Sequence, residues 1–447
     1  MSEDHDLTIA PIPKLIAHIA WPVCIGFFFN TMFNVVDTYF GGKISTSALA
    51  AMSLSFPVFF LIIIFDSGIS TGTTAVIANA VGAKEDTKKY AAQSISFGLI
   101  VSCLVTLGGL LFAPSLFRLL GASGEYLELA LQYINVIFYG AIFFLMISVF
   151  NSMLQARGDT RTYRNFLIAG FFLNIILDPW LLYGGLGVPA MGLRGVALAT
   201  VIIQLLGMVY IFKKTLKTGL VSKDTFKNLW PEKKAFMEIV KQAVPASLNL
   251  VTIGVGIFVI TYFISQFGEN AVAAYGIATR VEQISLLPTI GITIACLSII
   301  GQNNGAKKFD RIKETLKTCL RYGLSVMAVG SVLTFIFSKL IMEFFTKDQN
   351  VVAIGAHYLK IAPFIFFAYT ILFITISALQ GMKKPMYAVW IGIYRQILAP
   401  VAVFWILINI FGIGIDAVWW GVFGITWSAA IITAFYAKHV MKKLPVN

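Results

Sequence analysis

The chain contains 447 residues, of which 58% are hydrophobic and 12% are charged, and its formal net charge at pH 7 is +13. This composition excludes the two or three globular domains that a soluble chain of this length would form. The positive charge does not predict nucleic-acid binding, because most Lys and Arg residues lie at the chain ends or in loops between long apolar runs.

Twelve apolar runs follow one another along the chain, and many reach the length of about 20 residues that a membrane helix needs. They span approximately 14–40, 50–80, 92–114, 127–152, 162–184, 191–213, 238–266, 278–302, 316–341, 352–379, 386–411 and 415–438. The start, MSEDHDLTIAPIPK, is polar and acidic, which does not indicate a cleaved signal peptide. We therefore predict an all-α membrane protein with twelve transmembrane helices.

Basic residues are concentrated in alternate loops between these runs. The basic loops are 84–89, 157–164, 213–241, 307–321 and 383–384, whereas the opposite loops hold Lys43, Arg118, Arg194, Lys339 and Lys347. Because Lys and Arg mark the cytoplasmic side, we expect a multi-pass inner (plasma) membrane protein with both termini in the cytoplasm. The basic faces also predict contact with anionic lipid head groups.

A polar and basic stretch near 213–234, KKTLKTGLVSKDTFKNLWPEKK, separates the first six apolar runs from the last six. We predict an N-terminal lobe with helices 1–6 over 1–215, a cytoplasmic linker over 216–236 and a C-terminal lobe with helices 7–12 over 237–447. We expect a monomer.

The two halves repeat each other at an offset of about 223–225 residues. Matching positions include Pro22 with Pro245, Gly82-Ala83-Lys84 with Gly305-Ala306-Lys307, Tyr133 with Tyr358, and Gln155 with Gln380. Six helices per half give both halves the same orientation. We therefore expect two six-helix bundles related by a pseudo-twofold axis along the membrane normal, with a cavity between them.

Asp37 lies inside the first apolar run, where a charged side chain is costly and indicates a functional site. Its neighbourhood, VDTYF at 36–40, is repeated in the second half as VITYF at 259–263. Because Ile260 takes the equivalent position there, the fold does not require a carboxylate at Asp37. We predict that the two halves have divided their roles and that Asp37 serves function.

Three further polar residues belong to the same half. Asn174 and Asp178 are four residues apart and lie on one helical face, and Thr200 is in the sixth run. With Asp37 they offer an all-oxygen ligand set that suits a hard cation such as Na+, although two close carboxylates can instead share a proton. The structural alternative is that Asp178 marks a helix break before Pro179 and that Asn174 is an interhelical hydrogen-bond partner.

Asp66 and Pro22 are also candidates in the first half. Asp66 either extends an acidic lining or binds backbone in a Gly-interrupted helix. Pro22 lies about four turns before Asp37 and removes one backbone hydrogen bond, which either permits helix 1 to bend or produces a static kink.

The charged residues of the second half include Arg280 and Glu282 at the start of the eighth run, and Lys360 and Arg395 within later runs. Arg280 and Glu282 are predicted to pair near the membrane interface. Lys360 and Arg395 are predicted to be paired or to extend their charges toward the membrane surface rather than to bind substrate.

The sequence has no HExxH and no G-x-x-x-x-G-K, and its G-x-S-x-G match, GISTG at 68–72, lies inside the second apolar run rather than at a turn between a strand and a helix. The four cysteines, Cys24, Cys103, Cys296 and Cys319, do not show metal-binding or redox spacing. We therefore predict that the protein is not an enzyme and has no cofactor, with H+ or Na+ as its only coupling ion.

Four segments resemble those of multidrug and toxic compound extrusion (MATE) transporters. RVEQISLLPTIGITIACLSIIGQNNGAKK at 280–308 is similar to the family's Arg…Pro…Gly…Gln-x-x-Gly-Ala signature, and PVFFLIIIFDSGISTGTTAVIANAVGAKE at 57–85 is its weaker copy. SMLQARGDTRTYRN at 152–165 and GVPAMGLRGVALAT at 187–200 resemble the family's link between helices 4 and 5 and its start of helix 6. The resemblance covers essentially the whole chain.

The resemblance implies an exporter of lipophilic, usually cationic compounds that is driven by an inward H+ or Na+ gradient. In the family's prokaryotic DNA-damage-inducible-like branch the first lobe carries the coupling site, whose positions fall on Asp37, Asn174, Asp178 and Thr200. The alternative is a lipid-linked oligosaccharide flippase of similar architecture. Such a protein should line its cavity with cations, and the clustered acids argue against it.

Overall fold

The computed structural model describes residues 6–445, so that the first five residues of the predicted N-terminal lobe and the last two of the predicted C-terminal lobe lie outside it. Its helices are α1 (Ile12–Ile44), α2 (Thr46–Ala83), α3 (Thr87–Leu119), α4 (Gly124–Tyr139), α5 (Ala141–Gln155), α6 (Arg161–Tyr183), α7 (Leu193–Lys217), α8 (Lys223–Lys227), α9 (Lys233–Ser265), α10 (Glu269–Gly305), α11 (Phe309–Phe345), α12 (Gln349–Gly381), α13 (Met386–Ile393), α14 (Ala399–Trp405) and α15 (Asp416–Lys442). Within the described residues there is no strand, which confirms the predicted all-α class.

The long helices account for the predicted membrane spans. Eleven are long and apolar enough to cross a bilayer, and the count is twelve if α4 and α5, which meet at a bend of 42°, form one span. The bend falls at Gly140, where an added Cβ would lie 2.5 Å from Val201 Cγ2 on α7. The absence of a side chain therefore lets α7 approach the break closely.

The span at Met386–Ile410 is interrupted by two π-helical segments. The first, Tyr394–Leu398, joins α13 to α14, and the second, Ile406–Ile410, follows α14. A π-helical segment changes the direction of the side chains around it and frequently occurs at functional sites. The first segment contains the buried residues Arg395 and Gln396.

The chain divides into two compact units. The N-terminal unit comprises Pro22–Ser247, and the C-terminal unit comprises Met1–Trp21 with Leu248–Asn447. The boundaries lie inside α1 and α9, next to the repeat partners Pro22 and Pro245, rather than at the linker. The two units thus differ from the predicted lobes in containing the first part of the other half's leading helix.

In the N-terminal unit, the start of α9 packs tightly on α2. An added Cβ at Gly72 would lie 2.8 Å from the backbone nitrogen of Ala243, and one at Gly68 would lie 2.8 Å from its carbonyl oxygen. Ser247 Oγ also donates a hydrogen bond to Ile64 O at 3.0 Å. Small residues four apart allow such close packing between membrane helices.

In the C-terminal unit, the segment before α1 is bound to the start of α11 and the end of α10. Asn303 Nδ2 donates to Leu7 O at 2.9 Å, Lys308 Nζ to Thr8 O at 2.9 Å and Arg311 Nη2 to Ala10 O at 2.7 Å. Burial alone would raise the pKa of Asp6, but hydrogen bonds from Thr8 and the positive charges of Lys308 and Arg311 lower it overall. The polar contacts explain why the chain joins this unit before α1 begins.

The sequence repeat is visible in the backbone. Lys84 follows α2 with φ 57°, and its repeat partner Lys307 follows α10 with φ 58°. The next residues, Glu85 and Lys308, donate their N–H groups to Ala80 O and Asn303 O at 2.9 and 2.8 Å. Equivalent helix ends with a left-handed residue and the same hydrogen-bond pattern are what an internal duplication predicts.

Candidate functional site

Asp37 lies in the second half of α1 and is buried, with 6% of its surface exposed. Asn174 Nδ2 of α6 donates a hydrogen bond to Asp37 Oδ1 at 2.7 Å. Thr200 Oγ1 of α7 reaches Asp37 Oδ2 at 3.4 Å and also donates to Val196 O in its own helix at 3.2 Å. Three helices of the N-terminal unit thus meet at one carboxylate.

Asp178 lies beside Asp37 and is completely buried. The two carboxyl groups are close enough to form a side-chain hydrogen bond if one of them is protonated. In the described part of the chain, neither oxygen of Asp178 has another hydrogen-bond partner, and Asn174 Oδ1 has none. Two adjacent buried carboxylates need a proton or a cation between them, because like charges close together in a low-dielectric site are very unfavourable.

The four residues predicted for the site are therefore brought together by α1, α6 and α7. Asn174 and Asp178 lie on one face of α6, as their spacing predicts, and both are fully buried. The helix continues through Pro179 to Tyr183, so that Asp178 does not mark a helix end. Among the described residues, no group of three His, Cys, Asp or Glu side chains is arranged to hold a metal ion, and a cation here would need the amide and hydroxyl oxygens as well.

The equivalent position in the other half is apolar. Ile260 on α9 packs against the core of the C-terminal unit with Phe263, Val281 and Phe404 in the same cluster. The structure thus shows the same helical position with a carboxylate at Asp37 in one half and with ordinary hydrophobic packing in the other.

Asp66 and Pro22 have different surroundings. Asp66 on α2 is half-buried. Its carboxyl group lies within hydrogen-bonding reach of the Ser148 side chain, and the Ser148 hydroxyl donates to the backbone carbonyl oxygen of Asp66 at 3.2 Å. The structure does not bring Asp66 into contact with the Asp37 group. Pro22 is buried inside α1, which is helical on both sides of it.

The predicted pairing of Arg280 with Glu282 is wrong. Arg280 is exposed, whereas Glu282 is buried and accepts a hydrogen bond from Tyr358 Oη of α12 at 2.6 Å. Two positions on one helix point in different directions, because a separation of two residues rotates the side chain by about 200° around the helix axis. The sequence repeat had marked Tyr358 as the partner of Tyr133 but did not connect it with Glu282.

The long apolar helices, three of which share a buried polar group, define a polytopic membrane protein. The sequence profile of the MatE family matches residues 22–180 and 245–406, which covers both halves and more than half of the chain. The chain therefore belongs to the MatE family. These are transporters and not enzymes.

Known relatives support this assignment. The probable multidrug resistance protein YoeA of Bacillus subtilis is 30% identical over 328 residues, which cover 72% of this chain and 70% of that protein. The probable multidrug resistance protein NorM of Thermotoga maritima is 28% identical over 433 residues, or 92% and 89% of the two chains. The flippase alternative is not favoured by these similarities.

The fold is also that of known transporters. The solved structure of a MOP superfamily transporter from Pyrococcus furiosus superimposes with a TM-score of 0.92, covering 100% of this chain and 99% of that one at 24% identity. At this level of identity the similarity concerns the fold.

Proposed function

We propose that the protein is a cation-coupled antiporter that exports lipophilic cationic drugs by alternating access. The observation that carries this proposal is the buried contact of Asp37 with Asn174 and Thr200, next to the unpartnered carboxylate of Asp178. The relatives named for multidrug resistance support export of toxic compounds. The coupling ion is H+ or Na+. The protein lies in the inner membrane with both termini in the cytoplasm.

The coupling chemistry follows from the geometry of the two carboxyl groups. A proton placed between Asp37 and Asp178 turns one acceptor into a donor and relieves the repulsion between the two charges. Na+ can act similarly through the oxygens of Asp37, Asp178, Asn174 and Thr200. Either ion changes the partners of Asp37, so that the loaded and empty sites favour different arrangements of α1, α6 and α7.

Pro22 offers a means for this change to travel along α1. The backbone nitrogen of Pro22 carries no hydrogen, so one hydrogen bond of the helix is missing here. Bending at this point therefore costs less free energy than elsewhere in the helix. A ligand shifts the equilibrium between two α1 conformations only if it binds one of them better. A drug and an ion that stabilise different α1 conformations would therefore compete, because each reduces the population that binds the other. Exchange of one ligand for the other is then antiport.

The test is drug efflux from proteoliposomes under separately imposed Na+ and proton gradients. We expect the wild-type protein to export a lipophilic cation under at least one gradient, and Asp37→Asn to reduce efflux to the level of protein-free liposomes. Asparagine keeps the size of the side chain but cannot carry the exchangeable charge.

Ile260→Val is the matched control, since it changes the equivalent position of the other half without altering charge. It should retain efflux close to that of the wild-type protein. Full gradient-driven efflux by folded Asp37→Asn would disprove a coupling role for Asp37.

A further inference from the structure

The C-terminal unit contains a buried polar cluster of its own. Glu282 of α10 and Arg395 of the first π-helical segment are each only 8% exposed. Glu282 accepts the hydrogen bond of Tyr358, and the guanidinium of Arg395 lies 5.3 Å from the centre of the Tyr369 ring. Burying charged side chains to this degree costs free energy, and such residues usually pair with an opposite charge or belong to a functional site.

The internal repeat assigns this cluster to the same place as the proposed coupling site. Aligning Asp178-Pro179 with Ala399-Pro400, at an offset of 221, also aligns Asn174 with Arg395. The pattern GVALAT at 195–200 matches GVFGIT at 421–426, which aligns Thr200 with Thr426.

The aligned residues also meet in space within the C-terminal unit. Tyr358, the repeat partner of Tyr133, binds Glu282. Thr426 is a side-chain hydrogen-bond partner of Tyr369, over which Arg395 lies. The cluster is therefore the counterpart of the Asp37 group in the second half, in which an arginine takes the position of Asn174 and the acid lies on α10 rather than on α9.

Arg395 is not neutralised by a direct ion pair. The charges of Glu282 and Arg395 influence each other, but the ion pairs found among the described residues join other side chains. Tyr369 is the side chain that contacts the guanidinium. A guanidinium has five N–H donors in a planar fork that matches a carboxylate or phosphate, which is more than its contact with the single hydroxyl of Tyr369 requires.

Aromatic rings flank the two charges. Tyr369 and Tyr275 are half-buried. Tyr275 is close enough to interact electrostatically with both Glu282 and Arg395. Tyr275 stacks on Trp419 with ring centres 6.1 Å apart and an interplanar angle of 24°. Such rings suit a planar aromatic ligand that bridges an acid and a base.

We propose that this cluster is a binding site for amphoteric aromatic compounds, in which Arg395 binds the ligand's carboxylate and Glu282 binds its amine. This assignment rests on the proposed export function for its biological meaning, but the binding itself does not depend on ion coupling. It assigns to the C-terminal unit a ligand class that carries both charges.

A pair of rhodamine dyes tests this site. Rhodamine 110 has a free carboxylate where rhodamine 123 has a methyl ester, and the rest of the two dyes is the same. Binding to the purified protein in detergent is measured by fluorescence polarisation. We expect Arg395→Gln to raise the Kd for rhodamine 110 about tenfold, corresponding to about 1.4 kcal/mol, and to change the Kd for rhodamine 123 less than about twofold.

Arg280→Gln is the matched control, because it removes an exposed positive charge from the same unit. It should leave both Kd values unchanged. If Arg395→Gln does not fold, Arg395→Lys keeps the charge but loses the planar fork, and should still weaken rhodamine 110 selectively. Equal effects of the Arg395 variants on the two dyes, or failure of the wild-type protein to bind rhodamine 110, would overturn the proposal.

The Asp37→Asn variant separates this proposal from the proposed function. It should lose gradient-driven efflux and retain the dye selectivity of the wild-type protein. Selective binding without efflux by the wild-type protein would reject the transport proposal alone, and efflux without selectivity would reject the amphoteric site alone.

Discussion

At the scale of single residues, the two neighbours of Asp37 are not equivalent. The hydrogen bond from Asn174 is 2.7 Å long, whereas that from Thr200 is 3.4 Å long and competes with a bond to Val196 O. A hydrogen bond to a charged group contributes about 1.5–3 kcal/mol at good geometry and much less when it is long. Asn174 therefore does most to hold the Asp37 carboxyl group in place.

We expect Asn174→Leu to reduce drug efflux about tenfold or more, because 1.4 kcal/mol corresponds to a factor of ten. Thr200→Val should reduce it less than about threefold, since its contact with Asp37 is already weak. The measurement is the initial efflux rate from proteoliposomes under the gradient that drives the wild-type protein. Circular dichroism would show that both variants are folded, and a larger loss with Thr200→Val would contradict this order.

Residue-scale prediction from the sequence succeeded where a contrast between the two halves was available. Asp37 could be distinguished because the repeat places Ile260 at its position, and the four-residue spacing placed Asn174 with Asp178. The partner of Glu282 could not be predicted in this way. Its hydrogen bond joins α10 to α12, and neither local spacing nor the repeat carries information about which helix approaches that face.

At the scale of helices, the apolar runs predicted the spans because run length is a direct consequence of bilayer thickness. The breaks within them were not predicted. The bend at Gly140 depends on the approach of Val201 from another helix, and the π-helical segments of Met386–Ile410 have no proline or polar run that would mark both of them. Interruptions of this kind depend on tertiary packing.

The close packing of α2 on the start of α9 gives a prediction at this scale. Gly72→Ala should lower the free energy of unfolding by about 1–3 kcal/mol, because the new Cβ would lie 2.8 Å from the backbone nitrogen of Ala243, which cannot rotate away. The measurement is the melting temperature of the purified protein in detergent.

Gly108→Ala is the control for this substitution. An added Cβ at Gly108 on α3 meets no atom within 4 Å, so that the greater helix propensity of alanine should leave stability equal or slightly higher. Equal melting temperatures for the two variants would show that α2 and α9 can separate without cost.

At the scale of the whole molecule, duplication and divergence explain the distribution of polar residues. Both halves keep the same helix ends, with the left-handed residues Lys84 and Lys307. The buried polar positions differ, with Asn174 in one half and Arg395 in the other. Equal backbone geometry with changed side-chain chemistry is expected when two copies of one scaffold diverge.

The loop charges predict how this molecule lies in the membrane. Lys347 and Lys384 are both exposed and lie in successive loops of the C-terminal unit, but only the loop at 383–384 belongs to the basic set. We therefore expect Lys384 to be cytoplasmic and Lys347 to be on the opposite side. Single cysteines at these two positions can test this, after Cys24, Cys103, Cys296 and Cys319 are replaced by serine or alanine.

In intact cells, Lys347→Cys should react with a membrane-impermeant maleimide, and Lys384→Cys should react only after permeabilisation. Both variants must retain drug efflux, so that labelling refers to the functional orientation. The reverse labelling pattern would place both termini outside the cytoplasm, because an even number of spans keeps them on one side. In that orientation the proton or Na+ gradient would reach the Asp37 site from the opposite face. The exchange would still be export, because an inward ion gradient drives an outward drug flux in either orientation of an antiporter.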